Sequence, residues 1–222
     1  MTEIALSDYS LTGRDAARAI ASGLAEATWY SSPVPKARMR ELLQRSDGPA
    51  VRDTAMWFAL LVGSALNAAF LWQASSWWAI VPFAIYGVIY GSTSDSRWHE
   101  SSHGTAFKTG WMNDALYEIA SFMVMRESTP WRWSHTRHHS DTIIVGRDPE
   151  IFVSRPAQLK EVMLAFTGWP SMVGYFTGLM GHVQGRLTEA EKTFVPESSL
   201  ARITLTARIH LAIYLGVIAL SL

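Results

Sequence analysis

Apolar residues gather along this chain in a few long runs rather than in short amphipathic repeats. The first, Thr54 to Trp72, is 19 residues without a charge, close to the ~20 that cross a hydrocarbon core as a helix. Gln73-Ala74-Ser75-Ser76 reads as a tight turn, and a second apolar run follows from Trp77 to Gly91. That run is short for a span, but Ser92, Thr93, Ser94 and Ser96 can prolong the helix past the lipid. Together the two runs predict a helical hairpin, with Trp57, Trp72, Trp77 and Trp78 placed as interfacial belts are. Gly87-xxx-Gly91 and Gly174-xxx-Gly178 have the spacing that lets helices pack closely and are read as packing glycines.

Between Arg97 and Thr204 the pattern is mixed. It predicts helices from Met112 to Met125 and from Leu159 to Met180, the second broken at Pro170. Trp169, Tyr175 and Phe176 with little charge suit a helix lying in the membrane interface. A last apolar run starts after Arg208 and reaches Leu222. Those residues make about 21 Å of helix, short of the ~30 Å hydrocarbon thickness. The expected fold is therefore an all-α membrane protein. A cytoplasmic arm (1–53) leads into a transmembrane hairpin (54–96), a cytoplasmic cap with an interfacial helix (97–208) and an incomplete third span (209–222).

Charge adds orientation. Seven Lys or Arg residues precede Thr54 and twelve follow Ser96, with none between, and excess Lys and Arg marks the cytoplasmic face. The arm and the cap are both expected on that face. Overall the chain is balanced, 19 basic against 19 acidic residues, which argues against a nucleic-acid partner. The residues from Met1 to Tyr9 lack a basic start and apolar core, so no secretory signal is read there.

Cysteine is absent, which excludes disulfides, cysteine-ligated iron–sulfur clusters and Cys-type zinc sites. A bound metal must take nitrogen and oxygen ligands. Histidine supplies them: five of the seven fall in two boxes, His99-Glu100-Ser101-Ser102-His103 and His135-Thr136-Arg137-His138-His139. On a helix His99 and His103 share a face. His138 and His139 lie about 60° and 40° to either side of His135, so their rings can converge. The expectation is a membrane-anchored metal site. If the second helix runs unbroken, His99 stands about 12 Å beyond Gly91.

HxxxH followed about thirty residues later by HxxHH, after a hairpin, resembles the integral-membrane fatty acid desaturase and hydroxylase superfamily, including its bacterial alkane-hydroxylase-like and hydrocarbon-oxygenase-like branches. Further likeness lies in His103 to Phe107, Trp111 to Asp114, and Ser134 to Glu150, and the whole resemblance covers roughly 54–222. It implies a di-iron centre that activates O2 to desaturate or hydroxylate an acyl or hydrocarbon chain. His99, His103, His135, His138 and His139 match its boxes, with His182 a further candidate ligand and His210 expected to pack inside the last helix. The resemblance also implies a lipid or hydrocarbon substrate, an external ferredoxin or reductase, since no flavin or haem motif is present, and a multi-pass place in a bacterial inner membrane.

Members of that superfamily carry a third box, HxxHH, which this sequence lacks. Five histidines leave two irons under-coordinated, so the expectation is an inactive fragment. For the groups that orient the rings, the nearby candidates are Asp95, Glu100, Asn113, Asp114, Asp141, Asp148 and Glu150. Arg137 and Arg147 are expected to pair with those acids or to bind lipid head groups. Two other readings stay open. His99 to His103 also reads as HExxH, a zinc protease motif in which the glutamate activates water. The third reading is a metal-binding remnant without activity.

Overall fold

In the computed structural model the described residues are 10–23, 26, 28, 30–151 and 156–222, with the side chains of Asp95 and Ser96 outside the description. Among them the structure is helical, without strands. The chain forms two compact units, Ser32–Ser128 and Thr129–Leu222, the second joined by the described part of the first 31 residues.

The first unit is built on the hairpin. After α1 (Ala16–Ala21), which belongs to the other unit, come α2 (Lys36–Leu42) and α3 (Asp47–Gln73). α3 is about 40 Å long at 1.5 Å per residue. It ends where Ser75 adopts φ +53°. Ser75 N–H donates to the Trp72 carbonyl and Ser76 N–H to that of Leu71, both at 2.9 Å. That is the pairing that closes a helix through a left-handed residue, here a serine where glycine is usual. The predicted turn is thus in place, and α4 (Ile80–Gly91), after a 3₁₀ turn at Trp77–Ala79, packs back along α3.

Trp57 fixes the open end of the hairpin. It is 4% exposed, and its indole N–H lies 3.1 Å from both the Ile89 carbonyl and Ser92 Oγ. Beyond Gly91 the helix changes pitch. Ser92, Thr93 and Ser94 return their hydroxyls to the carbonyls of Ile89, Tyr90 and Gly91. Such bonds compete with the α ladder, and these three residues form a 3₁₀ turn, followed by a π-helix at Asp95–Glu100. The helix therefore reaches the first histidine box, but not as the uniform rod of the sequence expectation.

α5 (Gly110–Met123) buries Asn113, Leu116, Tyr117, Ala120 and Ser121. It braces the π-helix, for Trp98, 3% exposed, donates its indole N–H to Ser121 Oγ at 3.0 Å and carries the Arg126 guanidinium 4.6 Å above its ring. Tyr90 at the end of α4 donates to the Met123 carbonyl at 2.6 Å. One tryptophan and one tyrosine thereby tie the box to the far end of α5.

In the second unit, α6 (Ser128–Asp141) carries the second box, α7 (Leu159–Phe166) is short, and α8 (Trp169–Val183) packs on α9 (Leu200–Leu220). Gly168, at φ +69°, separates α7 from α8, and Pro170 sits in the first turn of α8, where its missing N–H costs nothing. The break falls at Gly168 rather than at Pro170. Tyr175, Leu179 and Ala207 are the buried contact between α8 and α9, with Val183 and Tyr214 against them.

α9 starts at Leu200, upstream of the apolar run that begins after Arg208. Its first turns contain Arg202 and Arg208, both exposed, which a hydropathy pattern excludes from a span. At 21 residues it is about 31 Å long. Two helical stretches, Lys36–Gln73 and Glu197–Leu220, are long and apolar enough to cross a membrane, and only 6% and 17% of their most apolar windows are buried. The core helix of a soluble protein buries such a stretch. This is the composition of an all-α membrane protein.

Candidate metal centre

The first box lies where the π-helix returns to α geometry. His103 N–H donates to the His99 carbonyl at 3.4 Å, so the two residues are one turn apart, as the spacing predicts, and their ring centroids are 5.0 Å apart. The loop that follows is pinned from two sides. Asn113 accepts the Phe107 N–H at Oδ1 and donates from Nδ2 to the Phe107 carbonyl, both at 3.0 Å. Asp47, at the start of α3, accepts the N–H and hydroxyl of Thr109 at 2.9 and 2.6 Å, while Arg45 reaches the Gly104 carbonyl. Glu100 accepts the Thr105 hydroxyl at 3.0 Å.

The second box occupies the last turns of α6. His135 and His139 meet with their Nε2 atoms 3.1 Å apart, and the His138 ring is 5.7 Å from each of theirs. Within each box the paired imidazoles present ligand atoms no more than 4.8 Å apart. His135 is 5% exposed and Trp131, one turn back, stacks on it at 4.1 Å and 27°.

Carboxylates hold the opposite ring nitrogens. Glu150 Oε1 lies 3.1 Å from His135 Nδ1, and Asp148 Oδ1 lies 2.9 Å from His138 Nδ1. A carboxylate can only accept, so each Nδ1 carries a proton, and in the neutral ring Nε2 is then the lone pair. That is the arrangement by which outer carboxylates orient metal-binding histidines. Asp148, 2% exposed, is itself fixed by the N–H groups of Ile143 at 2.7 Å and Glu150 at 2.8 Å. Of the acids the sequence offered, Glu150 and Asp148 meet histidines of the second box. Asp141 instead pairs with Arg147 at 2.9 Å and Arg137 at 3.5 Å; Asn113 and Glu100 hold the loop after the first box. Asp95 lies outside the described side chains.

The loop carrying both acids has a special backbone. Gly146 has φ +77°, and a Cβ on it would stand 2.4 Å from Ala16 Cβ and 2.6 Å from Ala16 Cα. Ile143, exposed and β-branched, nonetheless holds φ +62°, a conformation that costs such a residue of order 1–3 kcal/mol.

A cation fits this donor set. Two imidazole nitrogens 3.1 Å apart, at least one of them a lone pair, are satisfied by a shared positive ion, and neutral imidazole suits iron, copper and zinc. His182 is buried, and its Nε2 lies 3.1 Å from Glu191. Glu191 also accepts the N–H and hydroxyl of Thr188 at 2.8 Å while its own N–H donates back to Thr188 Oγ1, the reciprocal pairing of a capping box. Burial raises the Glu191 carboxyl, but the bonds from His182 and Thr188 outweigh it and hold the group below its usual value. His210, buried on α9 as expected, pairs through Nδ1 with the Tyr175 hydroxyl at 2.9 Å.

Trp131 as the shelf beneath His135 was not found from the sequence. Its position four residues before a ligand candidate on the same helix was the available signal.

Comparison with known proteins adds a family. The family model described as fatty acid desaturase matches residues 75–222, about two thirds of the chain. A "Bifunctional fatty acid conjugase/Delta(12)-oleate desaturase" of Punica granatum is 28% identical over 116 residues, covering 44% of this chain and 29% of that protein. An "Omega-6 fatty acid desaturase, endoplasmic reticulum isozyme 1" of Glycine max is 31% identical over 81 residues, covering 35% of this chain and 21% of that protein. The chain spans less than a third of the length of these curated relatives. No solved structure matches it.

Proposed function

The chain belongs to the fatty acid desaturase family, and from that premise we propose that it is part of a membrane-bound, O2-dependent oxidoreductase that desaturates a fatty acyl chain. In this reading His99, His103, His135, His138 and His139 are ligands of a di-iron centre on the cytoplasmic side of the membrane. The observation that carries it is the pair of carboxylates on Nδ1, Glu150 on His135 and Asp148 on His138, which turn Nε2 outward as a ligand requires. Both relatives are named for desaturation, which favours a double bond over an alcohol as the product.

Bound iron would supply the O2 activation and hydrogen abstraction that no side chain here can perform. The protein's own part is geometric. Glu150 and Asp148 keep the proton on Nδ1 and fix the direction of Nε2, and Trp131 restricts the tilt of His135. The uncovered apolar helices keep the chain in contact with lipid, where an acyl substrate resides. Because five imidazoles leave two irons short of ligands, the full set includes donors beyond these five. Two electrons come from a separate reductase or ferredoxin.

Glu100 does not support the protease reading. It is exposed and engaged with Thr105, and the family match is to desaturases. Metal analysis of the chain purified from membranes tests the assignment. Iron that is lost in His138→Ala and retained in Glu100→Gln is expected. Zinc as the bound metal, or iron unaffected by His138→Ala, overturns it. With the full ligand set in place, fatty-acid profiling of host membranes should show a new double bond, and a hydroxylated acyl chain in its place would reassign the product.

A further inference from the structure

α7 is an eight-residue helix, and none of its residues is buried. Its Leu159, Val162, Met163 and Phe166 recur at i, i+3, i+4 and i+7, one face of a helix, while Lys160 and Glu161 point away from that stripe. Phe166 is 84% exposed and Leu159 76%. On α8, beyond the Gly168 break, Trp169, Val173, Phe176 and Met180 are also exposed, at i, i+4, i+7 and i+11 on one helix face. Water-soluble proteins rarely leave so contiguous an apolar surface uncovered.

We propose that α7 and the start of α8 form an in-plane membrane anchor, with the Leu159–Met163–Phe166 stripe sunk into the acyl boundary of the lipid. The occupant is identified by continuity. α7 packs on α8 and α8 on α9, and α9 is long and apolar enough to span, with Leu205, Ile209, Ile213 and Val217 exposed along it. The apolar phase that must cover α9 is therefore available to α7 as well. Lys160 and Glu161 mark the watery side, and a tryptophan at the helix junction suits the headgroup layer. This anchor is independent of the metal and of the reaction.

The cysteine-free sequence makes the test direct. The full chain, carrying a single Phe166→Cys or Lys160→Cys substitution and a nitroxide label, is reconstituted into vesicles of equal parts phosphatidylcholine and phosphatidylglycerol. Collision with oxygen, which concentrates in lipid, is compared with collision with a water-soluble nickel chelate. The label at 166 should favour oxygen and lie roughly 5–10 Å into the bilayer boundary; the label at 160 should favour the chelate. Chelate access at both sites places α7 in water and overturns the anchor. A 166 label shielded from both reagents means that protein covers the stripe, either a second copy or another segment of this chain, and overturns it equally. Met163→Cys gives the same reading should Phe166→Cys not fold.

Discussion

Glu150 holds His135 by the nitrogen that faces away from His139: the carboxylate is 3.1 Å from Nδ1, and His139 is 3.1 Å from Nε2 on the other edge of the same ring. The ring is thus gripped from one side and presented on the other. Trp131 closes one face at 4.1 Å, so orientation is set before any metal arrives.

Replacing Glu150 by Ala should weaken metal binding about 10–100-fold, as loss of an outer-shell partner does. Glu150→Gln keeps an acceptor oxygen and should lose less. Titration with Co(II), read by its visible absorption, ranks the variants, and equal affinities for all of them would remove Glu150 from the site.

Trp131→Ala should cost roughly two- to tenfold in the same titration, the worth of one aromatic stacking contact. Trp131→Phe should recover most of it. A structural role confined to α6 would lower thermal stability in both variants without separating their affinities.

Gly146→Ala combines a left-handed backbone with a methyl group driven into the Ala16 backbone. The conformational part alone exceeds ~1 kcal/mol, and the clash adds to it. The expected result is a lower unfolding midpoint together with weaker metal binding, because Gly146 lies in the loop that presents Asp148 and Glu150. Ile143→Asn should act in the opposite sense, since asparagine tolerates φ near +60° and the isoleucine side chain is exposed. A midpoint unchanged or lowered by Ile143→Asn would show that the loop stores no strain there.

Glu191 gives stability a pH dependence. Burial acts to raise its carboxyl, but the His182 and Thr188 bonds win and lower it from 4.5. A group depressed in the folded state contributes stability above its unfolded value and loses it as pH falls through the folded one. The stability advantage of the native chain over Glu191→Gln should therefore be full above about pH 4.5 and shrink with further acidification. Parallel acid-unfolding curves for the two proteins would contradict this.

The hairpin, its turn and the helical setting of both boxes were legible because each rests on a local pattern: uncharged runs, a Ser-rich gap and i, i+4 histidines. The acids that hold the histidines were legible only as candidates. Asp148 and Glu150 lie ten and fifteen residues beyond their partners, and only the folding of the 142–150 loop around Gly146 selects them over Asp141 and Glu100. The start of α9 was missed because Arg202 and Arg208 interrupt the apolar run, although charges at the solvent-facing end of a helix do not stop it. The pitch change after Gly91 was hidden because serines and threonines were read for polarity alone, whereas three of their hydroxyls rearrange the ladder.

That pitch change decides which way the first pair of imidazoles looks. A 3₁₀ residue advances by about 120° and an α residue by about 100°, so Ser92, Thr93 and Ser94 swing everything downstream by roughly 60°, and the wider π turn over Asp95–Glu100 then swings it back the other way. The compass bearing of His99 and His103 is thus dialled by small hydroxyls lying one to three turns beneath them. An alanine at any of the three would re-aim the ligands while leaving every ligand in the sequence intact.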